Sequence, residues 1–250
     1  MRITVIGGTG LIGARVVRRL GDAGHEVVAA ARATGVNSYT GEGLEQALTG
    51  TDVLVDVSNS SYTDEEGARD FFTTSTLNLL SYGEAAGVGH HVALSVVGTD
   101  RLARAEGGYF IAKHEQERLI SASGRPYSLV HATQFFEFVR SITDHAMRGR
   151  VAHIADVLVQ PMAADDVADA VVRTALADPL HGMIEFGGPE VFSLAAVAAM
   201  DLRSRQDERE VVPDPWGHTS APGSAAAICC RRRPPRSPRR AITTGACESR

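Results

Sequence analysis

Short, unbroken apolar runs alternate along this chain with longer stretches of helical period. Arg2 to Ile6 is a β-branched run of the kind that lies buried in a parallel strand, and it stops at Gly7-Gly8. Ala14 to Leu20 follows with apolar positions at helical spacing. Glu26 to Ala31 predicts a second strand after a helix stop at Gly24, Val36 to Thr40 a short third strand, and Gly43 to Leu48 a brief helix. Val53 to Val57 predicts a buried strand that ends at Ser58-Asn59. A long helix is expected from Glu65 to Ala86, with Phe71, Phe72, Leu77, Leu79 and Leu80 apolar and with Gly87 and Gly89 closing it. His91 to Val97 and Tyr127 to Ala132 predict further strands, and Tyr109 to Ser121 and Phe135 to His145 further helices. Thr99 to Gly108 reads as a loop.

Strands and helices in this alternation specify an α/β protein with a doubly wound parallel sheet, whose ligand crevice lies beyond the carboxyl ends of the strands. Gly7, Ser58, Ser95 and Thr133 all fall at such ends. Val157 to Gln160, a helix from Asp165 to Ala177 opened by the acidic pair Asp165-Asp166, a strand from Met183 to Phe186 and a helix near Ser193 to Arg205 are expected to form a small substrate lobe over the crevice. That divides the chain into a nucleotide-binding domain over 1–216, with about 133–216 contributing the lobe, and a tail over 217–250.

The turn between the first strand and the first helix is Gly7-x-x-Gly10-x-x-Gly13. Glycines there allow a tight turn, a close approach of a pyrophosphate to main-chain N–H groups, and close packing of helix on strand. The anion then sits at a helix N-terminus carrying about half a positive charge. Gly7, Thr9, Gly10, Leu11, Ile12 and Gly13 are therefore expected against a dinucleotide, with Ser58 and Asn59 where the later strand meets it. Arg32 directly follows the second strand, where a carboxylate would hold an NAD ribose. An arginine there can pair with a 2′-phosphate, so NADP(H) is expected in preference to NAD(H); the alternative is one more exposed arginine.

Composition changes the picture in three ways. The 250 residues include 44% hydrophobic positions and no apolar run near the length of a membrane span, so a soluble, cytoplasmic protein without a signal-peptide layout is expected. Cys229, Cys230 and Cys247 all lie in the tail, which leaves the body without disulfide or thiol nucleophile. The formal charge of −5 is uneven: the last 34 residues hold seven arginines and one glutamate, a balance of +6, so the body stands near −11 and does not read as a nucleic-acid binder. From Gly217 the chain has no hydrophobic period and is dense in Arg, Pro, Ser and Ala. It reads either as a basic tail for an acidic partner or as a coding region translated out of frame in GC-rich DNA.

The chain contains a single lysine, Lys113, among 25 basic residues. It stands four residues after Tyr109 on a predicted helix, so both side chains project from one face. Ionising a phenol of pKa about 10 at neutral pH takes roughly 4 kcal/mol, part of which a nearby ammonium supplies. Tyr109 could then exchange a proton while a nicotinamide exchanges a hydride, with Lys113 also holding the cofactor ribose. Ser95 could hydrogen-bond a substrate oxygen, although a strand-end hydroxyl is often only structural. The nine histidines show no metal-binding spacing, and no metal is expected.

Gly7-Gly8-Thr9-Gly10-Leu11-Ile12-Gly13, Ser95-Val-Val-Gly98 and Tyr109-x-x-x-Lys113 resemble the atypical, NmrA-like and extended branches of the short-chain dehydrogenase/reductase superfamily. The resemblance covers Met1 to about Trp216. It implies a Rossmann fold, an NAD(P)H cofactor, a Ser95-Tyr109-Lys113 set and a reduced substrate lobe. His131-Ala-Thr-Gln134-Phe135-Phe136 is similar to the segment that borders the nicotinamide in such proteins, which adds Thr133 and Gln134 to the cofactor-binding residues; many relatives have arginine where His131 stands. The expected function is an NAD(P)H-dependent oxidoreductase reducing a small carbonyl or quinone-like substrate. The alternatives are a redox-sensing NADP(H)-binding protein without turnover, or a nucleotide-sugar-type epimerase or dehydratase. A homodimer could form through the Glu65 and Tyr109 helices.

Overall fold

The structure, a computed structural model, describes residues 1–62 and 64–214. The tail from Gly217, with its three cysteines, lies outside the described residues. In chain order the elements are β1 (Arg2–Ile6), α1 (Gly13–Asp22), β2 (Glu26–Ala30), α2 (Leu44–Leu48), β3 (Val53–Asp56), α3 (Glu65–Ala85) and β4 (His90–Val96). They continue with α4 (Thr99–Ala105), α5 (Gly108–Ala122), β5 (Tyr127–Ala132), α6 (Phe136–His145), β6 (Met147–Arg148) and β7 (Val151–Ala155). The last are β8 (Leu158–Val159), α7 (Ala164–Ala175), β9 (Gly182–Phe186), β10 (Phe192–Ser193), α8 (Leu194–Ser204) and β11 (Glu210–Asp214).

Six strands form one sheet in the order β2-β1-β3-β4-β5-β9. Every pairing in it is parallel, with Ile3 opposite Val27 and Val53, Asp56 opposite Ala93, and Ser95 opposite His131. Such a sheet is covered on both faces, which is why its strands are mostly apolar. On one face Val5, Val55 and Val130 pack with Val16 and Leu20 of α1 and Val167 and Val171 of α7. On the other, Leu54 packs with Leu79 of α3, and Phe72 of α3 with Tyr109 and Phe110 of α5. The order of strands reverses direction between β1 and β3, and a crevice opens there at their carboxyl ends.

Four expectations about individual segments change. Val36 to Thr40 is not a strand. Its backbone bonds close a local turn, Asn37 N–H to Glu42 O and Gly41 N–H to Asn37 O, and Asn78 of α3 donates to the Ser38 and Tyr39 carbonyls, which ties the segment to α3 rather than to a sheet. Thr99 to Gly108 is not a plain loop but carries α4. The helix α7 and strand β9 do not sit in a lobe: β9 pairs with β5 as the sixth strand of the main sheet, and α7 lies against α1. What stands beyond the main sheet is built from α6, α8, the β11-β7-β6 sheet and the β10-β8 pair around Val139, Ile142, Ile154 and Val197. Asp165 has a further role besides opening its helix, since Arg19 of α1 reaches Asp165 at 2.7 Å and Asp169 at 2.5 Å. These pairs are half exposed and fix the α1–α7 orientation more than they stabilise it.

Candidate functional site

The glycine turn is shaped by close approach. Gly7 has φ +79°, a conformation that other residues rarely adopt, and a Cβ on Gly13 would lie 2.0 Å from the Gly7 carbonyl oxygen. A Cβ on Gly8 would lie 2.8 Å from Ala29 Cα, so this glycine lets β2 pass behind the turn. Helix α1 starts from Ile12 with no side-chain cap. Among the described residues nothing accepts from the Leu11 and Ile12 N–H groups, which leaves donors at a helix N-terminus for an anion.

These groups line one side of a cleft of about 950 Å³ that runs across the ends of β1 to β4. Gly7, Thr9, Gly10, Leu11 and Ile12 border it, Arg32 stands at the β2 end, and Ser58, Asn59, Ser95, Tyr109 and Lys113 border it elsewhere. Gly13 does not reach the cleft and serves packing instead. Thr133 and Gln134 line a second, smaller pocket of about 170 Å³, together with Ser95, Phe110, Phe135 and Phe138. The Thr133 hydroxyl donates to the Gln160 carbonyl at 2.6 Å, and Gln134 Oε1 is buried without a partner among the described residues. Ser95, Tyr62, Phe135 and Phe138 border both spaces, so the two adjoin.

Tyr109 is buried on α5, its ring 4.0 Å from that of Tyr62 between centroids and edge-on to Phe72. Its hydroxyl donates to Asn59 Oδ1 at 2.7 Å. Burial, followed by the neighbouring Tyr62, pushes the phenol well above its usual pKa, so it holds its proton firmly. Lys113, one turn along the helix, donates to the Leu94 carbonyl at 2.8 Å and to Gln116 Oε1, and its ammonium lies 4.6 Å from the Phe72 ring centroid. Gln116 in turn donates to Asp56 Oδ2 at 2.9 Å, and Asp56 Oδ1 accepts from the Ser58 N–H and hydroxyl. Burial lowers the Lys113 pKa to about 8, while the charges of Asp56 and Glu117 raise it.

Ser95 is joined to two residues that sequence reasoning did not assign. Its hydroxyl donates to Glu117 Oε1, and His131 Nε2 lies 3.2 Å from the same oxygen, off the alignment of a strict hydrogen bond. Glu117 could have been found from spacing: Tyr109, Lys113 and Glu117 recur every four residues on α5, a polar stripe on a face that is buried. Asp56 had a similar signal, a carboxylate inside the apolar run Val53 to Val57. Among the described residues there is no cluster of three metal-ligating side chains, and no helix is long and apolar enough to cross a membrane.

Comparison with known proteins agrees with the fold. Residues 3–91 match the model of the NAD dependent epimerase/dehydratase family. A curated relative, the photosystem II assembly factor Ycf39 of Synechocystis sp., is 32% identical over 111 residues; the match covers 39% of this chain and about a third, 34%, of that protein. Among solved structures, UDP-glucose 4-epimerase of Thermus thermophilus complexed with NAD superposes with a TM-score of 0.68 at 18% identity, over 87% of this chain and 88% of that one. An NADPH-dependent quinone oxidoreductase of Escherichia coli complexed with NADPH gives 0.65 at 21% identity, over 85% and 77%. The triphenylmethane reductase of Citrobacter sp. complexed with NADP(H) gives 0.67 at 15%, over 86% and 79%. The chain has the Rossmann fold of NAD(P)-binding epimerases and reductases, and its residues 3–91 match the model of the NAD dependent epimerase/dehydratase family.

Proposed function

We propose that this protein is an NAD(P)H-dependent oxidoreductase that reduces a small carbonyl or quinone-like compound, with Tyr109 as the proton donor and NADP(H) as the preferred cofactor. The observation that carries the reading is the junction at Ser95, where a cleft of about 950 Å³, bordered by Tyr109 and Lys113, meets an aromatic-lined pocket of about 170 Å³. The first has room for a dinucleotide. The second suits one ring or a short chain and is small for a nucleotide-linked sugar, which weighs against the epimerase alternative.

The site fits the cofactor in its donor set: the Leu11 and Ile12 N–H groups for the pyrophosphate, Arg32 for a 2′-phosphate, and Lys113 for ribose hydroxyls. When bound, reduced nicotinamide supplies the hydride. Tyr109 keeps its proton because burial disfavours the phenolate, which suits a donor to the reduced oxygen. To act, its hydroxyl must exchange Asn59 Oδ1 for the substrate. Lys113 is held at the site by the Leu94 carbonyl and by Gln116, itself bonded to Asp56, so its charge is fixed in place beside the cleft. A protein that holds the nucleotide without turnover is the second reading, favoured by the same Tyr109–Asn59 bond, which ties the phenol to its own chain.

The test is loss of NADPH absorbance with a panel of quinones and aldehydes, wild type against Tyr109→Phe. Turnover that collapses in the variant while NADPH still binds supports the oxidoreductase. Binding without turnover in both proteins contradicts it and favours the second reading.

A further inference from the structure

A serine hydroxyl has one proton and two lone pairs, so where its proton goes decides what it can offer a ligand. At Ser95 the proton goes to Glu117 Oε1. Thr99 Oγ1 lies 3.3 Å from Ser95 Oγ, but Thr99 donates its own proton to the Val96 carbonyl and gives Ser95 nothing to accept. Glu117 stays an acceptor: burial raises its carboxyl pKa, yet the neighbouring His131 and the hydrogen bond from Ser95 outweigh burial and hold it below the usual carboxylate range. His131 is set for this by register, since it stands opposite Ser95 on β5 and reaches the same carboxylate oxygen. Ser95 thus borders both pockets with lone pairs and no free proton.

We propose that Ser95 is a hydrogen-bond acceptor that selects ligands carrying a hydroxyl or N–H, with Glu117 and His131 as positioning residues that hold its proton away from the pocket. This rests on the oxidoreductase reading and narrows its substrate to a carbonyl or quinone-type compound that also bears a hydroxyl or N–H. Tyr109 then protonates the reacting oxygen, while Ser95 accepts from the second group. A ligand offering only a carbonyl would give Ser95 no donor to accept from and leave its lone pairs buried and unpaired. Phe110, Phe135 and Phe138 provide the apolar walls for the rest of the molecule.

The experiment titrates phenol and benzaldehyde separately into the full chain at pH 7 by ligand-observed NMR. One ring fits the smaller pocket, and neither probe requires turnover. In the wild type phenol is expected to bind at least about fivefold more tightly than benzaldehyde. That ratio is expected to fall toward one in Ser95→Ala, and in Glu117→Leu, where the serine proton is released to the pocket. Equal or inverted affinities in the wild type, or a ratio that Ser95→Ala leaves unchanged, would overturn the proposal, and these two proteins decide it even if Glu117→Leu fails to fold. Phenol selection without NADPH turnover would remove the oxidoreductase reading and leave the acceptor assignment standing. Turnover without phenol selection would do the reverse.

Discussion

Two glycines of the same helix are predicted to respond to the same substitution with opposite sign. At Gly13 an added Cβ would stand 2.0 Å from the Gly7 carbonyl oxygen and 2.8 Å from Gly8 Cα, where ordinary contact begins near 3.4 Å. Gly7 cannot yield easily: its N–H donates to Ala30 O at 2.9 Å and its carbonyl accepts from Gly10 N–H at 2.9 Å. Helix α1 would have to move by about 1.4 Å, the difference between 3.4 Å and 2.0 Å, and overpacking of this kind typically destabilises by about 1–3 kcal/mol. At Gly21 there is nothing within 4 Å of the added Cβ, and alanine in a helix is favoured over glycine by about 0.5–1 kcal/mol. For a chain of this size, 1 kcal/mol moves Tm by about 2–4 °C. Gly13→Ala should therefore lower Tm by about 2–12 °C and Gly21→Ala raise it by about 1–4 °C, in thermal melts followed by circular dichroism. Gly13→Ala should also weaken NADPH binding, since the donors at Leu11 and Ile12 move with the helix, whereas Gly21→Ala should not. A Gly13→Ala protein that melts with the wild type and binds NADPH equally would refute this account of the turn.

Arg32→Ala should weaken NADPH binding about 10- to 100-fold while leaving NADH within about twofold, as the loss of a charge-assisted contact of about 1.5–3 kcal/mol requires; fluorescence titration of both nucleotides checks this. His90 should set part of the acid limb of stability. Burial, with His91 and His181 nearby, lowers its pKa from 6.5 to about 4, so between those values the unfolded chain binds a proton that the folded chain does not. Stability is then lost as pH falls from 6.5 to 4, by about 3 kcal/mol from this residue, and His90→Asn should flatten denaturant-derived stability over that window. Activity should fall above pH about 8 as Lys113 loses its charge, and Asp56→Asn should move that limb to lower pH because Asp56 raises the Lys113 pKa.

Much of the body was legible because parallel strands announce themselves by composition. Arg2–Ile6 and Tyr127–Ala132 have the predicted bounds, since each apolar run is ended by a glycine turn or a polar loop. Val36 to Thr40 misled because its residue types suit a strand while its flanking glycines, Gly35 and Gly41, both take positive φ and fold it into a turn. Strand β9 misled in another way: Met183–Phe186 read correctly as extended, but whether it pairs with β5 or stands in a lobe is a long-range matter that no local pattern encodes. The cleft residues were found because motif spacing places them. The partners Asn59–Tyr109, Gln116–Asp56 and Glu117–Ser95 join positions between 22 and 60 residues apart, and only the packing of α5 on the sheet brings them together.

The central claim is that hydride moves from a nicotinamide to a substrate carbon while Tyr109 supplies the proton. NADPH deuterated at the transferring position tests it most directly on the aldehydes of the panel, read by mass spectrometry, because deuterium delivered to a carbonyl carbon is retained whereas the hydrogens a quinone gains end on exchangeable oxygens. One deuterium is expected on the alcohol formed by the wild type, and a rate at least about 100-fold lower with Tyr109→Phe, whose NADPH affinity stays within about twofold. A deuterated product formed equally fast by Tyr109→Phe, or no deuterated product from any compound while NADPH binds, would contradict it.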